Sequence, residues 1–188
     1  MIHYPTTEEY RNRMIDLYLK TDLDQVSTII DIMRHTFEND GTLYVLGNGG
    51  NYSTTSHFVA DMTIGNLIRG KKVLRVVNLF DNTSNLTAAS NDVSFIDSAE
   101  LLLRSYMTAK DSILVLSASG ESENLIRAIQ FAKQLQSTVI SITGFSGGKI
   151  GEIADVNIHI PSKSGDYGPV EDIQLSICHM LTEAWRRL

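Results

Sequence analysis

Four short apolar runs, "TLYVLG", "KVLRVVNL", "DSILVLS" and "STVISITG", constrain this chain more than any other feature. Each is shorter than an ordinary helix, rich in Val, Ile and Leu, and closed by glycine or polar turn residues. That is the pattern of strands buried on both faces of a sheet. A fifth segment, "DVNIHIP", reads as a last short strand. The stretches between them carry apolar residues at helical spacing. Strands alternating with helices imply an α/β fold, a parallel sheet flanked by helices on both faces.

The helical stretches can be placed. Residues 7 to 19 open on threonine and two glutamates, and residues 22 to 40 set Val26, Ile29, Ile30, Met33 and Phe37 on one face. A helix is expected from Asn51 to about Ile64, another through Ser90, and a third over 94–107. "ESENLIRAIQFAKQLQ" is strongly amphipathic, and "FSGGKIGEIA" reads as a loop with a short helix. A helix of about twenty residues closes the chain, with Pro169 suited to its first turn. The whole of 1–188 is expected to be one domain: an N-terminal helical pair over 1–40 and an α/β core over 41–188. The pair belongs to no strand–helix unit, so it is a candidate for packing against another subunit.

Composition removes several function classes. A chain of 188 residues suits one domain burying roughly 70% of its unfolded surface. The net charge of −6 argues against a general nucleic-acid binder or a basic membrane-surface protein. Cys178 is the only cysteine, so no internal disulfide is expected. No stretch approaches the ~20 apolar residues of a membrane span, and the N-terminus lacks a signal-peptide core. A soluble, cytoplasmic protein is expected, with no nucleic-acid or membrane partner.

Two strand ends make the same chemical offer. "LGNGGNYS" and "LSASGESEN" both end a strand in glycine and hydroxyl residues and then enter a helix. In a parallel sheet, ligands bind beyond the carboxyl ends of the strands, where helix N-termini present free amides. Such loops can cradle a phosphate without lysine or arginine. Neither is a dinucleotide fingerprint, because "GNGGNY" lacks the third glycine, and neither is a Walker loop.

Histidines and carboxylates suggest a second element of chemistry. His57 and Asp61 are four apart on one expected helix, which places them on one face and suits a shared divalent metal or an acid–base pair. His179 lies in the apolar run "LSICHML", with Glu171 two turns earlier at the start of the same helix. His3 and His35 sit in contexts expected to be solvated, and His159 in a strand.

Together "GNGGN…HFVAD", "SASGES", "GFSGGKI" and "VEDIQLSICHML" resemble the sugar isomerase (SIS) domain, and more closely the phosphoheptose isomerases. The resemblance runs from the N-terminal helices to the end of the chain. It implies a flavodoxin- or Rossmann-like three-layer sandwich and a homotetramer with active sites at subunit interfaces. The implied reaction interconverts sedoheptulose 7-phosphate and glycero-manno-heptose 7-phosphate. By the same resemblance Asn48, Gly49, Gly50 and Asn51 line the substrate, with Asn91 and Asp92 also in contact. Ser117, Ala118, Ser119 and Ser122 hold its phosphate. His57, Asp61, Glu171 and His179 ligate zinc, Asp61 and His179 transfer protons, and Glu171 also meets the substrate.

The chain departs from the family pattern at several of these positions. Asp61 stands where the family has glutamate, Glu171 where it has glutamine, and Asn51 where it has serine. Gly65 replaces an arginine, and Gly168-Pro169 an Asp-Arg pair. Two other readings therefore stand beside the heptose reading: an isomerase or epimerase for a different sugar phosphate, and a non-catalytic regulator or replication-initiator-binding adaptor.

Overall fold

All five expected strands are present: β1 (Thr42–Gly47), β2 (Arg75–Asn78), β3 (Ser112–Ser117), β4 (Thr138–Thr143) and β5 (Val156–His159). They pair in parallel, in the order β2-β1-β3-β4-β5, in a computed structural model that describes residues 4–188. His3 lies outside the described residues. The eight α-helices are α1 (Thr7–Lys20), α2 (Gln25–Glu38), α3 (Gly50–Ala60), α4 (Thr83–Asp92), α5 (Phe95–Tyr106), α6 (Glu123–Gln134), α7 (Gly148–Ile153) and α8 (Tyr167–Trp185). No helix among the described residues is long and apolar enough to cross a membrane.

Strand alternation divides the core in two. Successive side chains point to opposite faces, so Leu43, Val45, Leu114, Leu116, Ile140 and Ile142 meet one helical layer. Tyr44, Leu46, Ile113, Val115 and Val139 meet the other. The first layer is built from α1, α2, α3 and α8, whose Leu17, Met33, Phe58 and Ile177 are buried. The second contains α5, α6 and α7, through Leu103, Ile129 and Ile150.

The N-terminal pair packs in part on its own chain: Ile29, Ile30 and Met33 of α2 are buried as the periodicity requires, and Phe37 packs edge-on against Trp185 with ring centroids 5.8 Å apart, while Ile15 and Leu19 of α1 stay exposed. The cap of α1 is Thr6, directly before the expected start of the helix at Thr7. Its hydroxyl accepts from the Glu9 amide, and the Glu9 carboxylate accepts from the Thr6 amide, each at 3.1 Å.

The N-terminus of α8 is clamped to α1 by a buried carboxylate. Asp166 accepts from Arg13 Nε at 2.9 Å, from the Tyr4 hydroxyl, and from the Lys163 amide at 3.2 Å. Burial alone would raise its pKa, but the hydrogen bonds from Tyr4 and Arg13 reverse that, holding the carboxyl below its ordinary value. A carboxyl with a depressed folded pKa stabilises the fold above its unfolded value and loses that contribution as pH falls through the folded one. Asp166→Asn is expected to cost about 1.5–3 kcal/mol at neutral pH. In urea titrations the gap from wild type should close below pH ~4. Gly168 is explained by the same corner, since a Cβ there would sit 2.9 Å from the Tyr10 hydroxyl oxygen.

Candidate metal centre and anion pocket

The strand order places the two glycine-hydroxyl loops side by side. β1 and β3 are neighbours, yet β1 leads outward to β2 and β3 leads the other way, so the crevice between them is the topological switch point of the sheet. The loop after β1 opens α3, and the loop after β3 opens α6. Asn48 and Asn124 lock the loops together by exchanging side-chain amide hydrogen bonds of 2.9 and 3.0 Å.

A pocket of about 160 Å³ lies between them, lined by Asn48, Asn51, Ser117, Ala118, Ser119, Ser122, Tyr167 and Glu171. The Ser117 hydroxyl accepts from the Gly120 amide at 3.0 Å, which fixes the loop and leaves its own proton free to donate. Ser122 occupies the N-cap of α6 without spending its side chain on a cap hydrogen bond. On the same wall, the side-chain oxygen of buried Asn51 has no hydrogen-bond partner. Such a group is costly to leave unmatched, by about 1–3 kcal/mol, and it offers a ligand an acceptor.

Glu171 closes the pocket over the start of α3. A Cβ on Gly50 would lie 2.3 Å from its carboxylate oxygen, so glycine is what allows this approach. Burial, and secondarily the charge of Asp172, push the Glu171 carboxyl pKa up.

Beyond α3 the helix widens into a π turn over Asp61–Gly65, where a continuous α-helix was expected. Here His57, Asp61 and His179 converge. His57 Nε2 lies 3.4 Å from Asp61 Oδ2 and 3.2 Å from His179 Nε2, and His179 Nε2 lies 3.8 Å from the same carboxylate oxygen. Ligand atoms around a tetrahedral ion with bonds of ~2.0–2.1 Å stand ~3.3–3.4 Å apart, so the three donors fit one metal. The side chains of His57, Asp61 and His179 are 50%, 31% and 48% exposed, which leaves an open coordination side. The neighbouring Cys178 is buried, and burial, then the charge of Asp61, push its thiol up to about 12.

Two sets of expected residues fall elsewhere. Glu171 is not in the His57–Asp61–His179 cluster: it precedes His179 by eight residues on α8, a rise of about 12 Å. Asn91 and Asp92 are exposed at the end of α4, where the Asn91 amide donates to Asp92 at 2.9 Å, and they line none of the pocket. Gly49 lines an adjoining, more apolar pocket with Tyr52, Phe80 and Phe95. His159 lies in β5 as expected, with Nε2 3.0 Å from the Phe145 carbonyl, and His35 is exposed. Sequence reasoning missed Tyr167 and Asn124. Asn124 stands only two residues beyond Ser122, but nothing in the sequence says that its partner is Asn48.

The sequence matches the SIS domain family over residues 8–144. It is 32% identical, over 85% of its length and 80% of the relative's, to a probable phosphoheptose isomerase of Thermoplasma volcanium. The phosphoheptose isomerase structure from Neisseria gonorrhoeae superposes with a TM-score of 0.84 at 27% identity, covering 94% of this chain and 92% of that one. A second, from Francisella tularensis, shares the fold at 23% identity with a TM-score of 0.89, covering 96% of each chain. The chain belongs to the SIS domain family and, within it, to the phosphoheptose isomerases.

Proposed function

We propose that this protein is a metal-dependent aldose–ketose isomerase for a phosphorylated sugar, with sedoheptulose 7-phosphate and glycero-manno-heptose 7-phosphate as its substrate pair. The observation that carries the reading is the convergence of His57, Asp61 and His179 at zinc-ligand spacing at one end of α3, with a hydroxyl-rich pocket at the switch point toward its other end.

Ser117, Ser119 and Ser122, with the first amides of α6, receive the phosphate. Their donors need no cation, in keeping with a pocket that contains no lysine or arginine. Asn51 accepts from a sugar hydroxyl, and Asn48, Gly49 and Gly50 shape the floor. Asn91 and Asp92 reach a substrate only where it extends beyond this pocket. Asp61 and His179 move the proton between C2 and C1 of the open-chain sugar. His57, Asp61 and His179 would hold zinc, whose contribution is Lewis acidity toward the oxygen that gains charge. Because Glu171 is two turns from His179, it could complete a four-ligand set only from a second copy. That supports a homotetramer with shared sites.

The test is ¹H NMR of purified protein supplied with zinc and sedoheptulose 7-phosphate. An anomeric aldose signal that grows to a constant ratio is the expected result. Turnover of another ketose phosphate but not of this one would move the substrate assignment and keep the reaction class.

A further inference from the structure

The metal cluster depends on the join of two helices. His57 and Asp61 belong to α3 and its π turn, while His179 belongs to α8. The distance from Asp61 to His179 is therefore set by whatever fixes the π turn against α8. π turns are local departures from the helix ladder and recur at functional sites. This one begins at the ligand itself, Asp61.

One contact spans the join. Asn66, fully buried directly after the π turn, donates from its side-chain amide to the Met62 carbonyl at 2.9 Å. Its side-chain oxygen accepts from Arg186 Nε, also at 2.9 Å. Arg186 Nη2 meets the Asp61 carbonyl at 3.5 Å. One planar guanidinium thus reaches both ends of the turn that carries Asp61. Arg186 lies seven residues after His179, two turns along α8, so the two residues share a helix face. Besides their shared apolar core, the two helices meet through the His–Asp cluster and the Arg186–Asn66 bond.

Gly65 leaves the room this needs. A Cβ there would stand 3.2 Å from Arg186 Nη2 and 3.6 Å from Asp61 Oδ1. The side chain of Arg186 is only 14% exposed, so it is held by the fold and does not sweep through solvent.

We propose that Arg186 is a positioning residue for the metal centre: by clamping the π turn through Asn66 and the Asp61 carbonyl, it sets the reach of Asp61 toward His179. The inference rests on the metal reading given above. It also gives a reason for arginine and not lysine, because a single ammonium cannot hold two groups in a fixed fork.

The experiment is titration of metal-free protein with Co²⁺, reading affinity and the visible absorption of tetrahedral cobalt, on wild type, Arg186→Ala and Arg186→Lys. Thermal unfolding of each metal-free protein is measured alongside. Loss of a partner that orients a ligand costs about 10–100-fold in metal affinity, and that loss is expected in both variants, with a weakened cobalt spectrum. KM for the sugar phosphate should change little, because the serine pocket is at the other end of α3. Affinity within twofold of wild type in Arg186→Ala, whatever its stability, would overturn the proposal. So would full recovery in Arg186→Lys, the variant that also keeps the test open if the alanine protein fails to fold. No cobalt binding by wild type would overturn the metal reading itself, and this inference with it.

Discussion

His179→Ala is expected to abolish tight metal binding and to lower kcat on the order of 10²–10⁴-fold, while leaving the fold intact. The imidazole is half exposed, and among the described residues its Nε2 meets only His57 Nε2 and Asp61. Its removal therefore opens no core cavity. The two residues before it behave differently: Ile177 and Cys178 are buried, so the same substitution one or two residues earlier would be read as instability. His35→Ala, at an exposed position near the end of α2, is the control and should change neither metal content nor rate. The checks are metal analysis after dialysis, steady-state rates and far-UV circular dichroism on the same preparations.

The second large effect is on the anion pocket. Gly120 has φ +72, and a Cβ there would lie 2.0 Å from the Gly147 carbonyl oxygen and 2.9 Å from the Gly148 Cα. Both obstacles are backbone, so neither can swing away. The left-handed conformation costs a side chain about 1–2 kcal/mol, and overpacking typically adds 1–3 kcal/mol. Gly120→Ala should thus lose about 2–5 kcal/mol of stability and displace the loop that carries Ser117, Ser119 and Ser122. Sugar-phosphate affinity should fall with it. Ser122→Ala separates the two effects, because its hydroxyl makes no cap hydrogen bond to the backbone. It is expected to weaken phosphate binding and leave the unfolding midpoint within experimental scatter.

The framework was legible because its signals are local. Runs such as "SILVLS" and "TVISIT" are short, rich in Ile, Val and Leu and free of charge, and both are fully or nearly fully buried strands. The amphipathic stretch from Glu123 to Gln134 is a helix within two residues of its expected ends. The His57–Asp61 pair was also readable, because four residues make one helical turn. What lay beyond reach was anything set by strand order or by a break in the helix ladder. That the loop after β1 touches the loop after β3 follows from the order β2-β1-β3-β4-β5, which is written nowhere in the chain.

"DMTIG" carries no proline or other sequence signal that it forms a π turn. The grouping of Glu171 with His179 came from the family resemblance alone, and two turns of one straight helix keep them apart within a single chain. What the buried faces of the N-terminal helices meet was not readable, because the sheet and α8 come later in the sequence.

The measurement that bears most directly on the central claim is proton exchange with solvent. Sedoheptulose 7-phosphate is incubated in D₂O with chelator-stripped protein, and again after one equivalent of zinc per chain is restored. Deuterium entering C1 of the ketose, together with formation of C2-labelled aldose, only in the zinc-restored sample is the predicted result. Equal exchange with and without zinc would contradict the role given to His57, Asp61 and His179. No exchange in either sample, with a His57–Asp61–His179 cluster that takes up no metal, would point to a sugar-phosphate-binding regulator or adaptor in place of an isomerase.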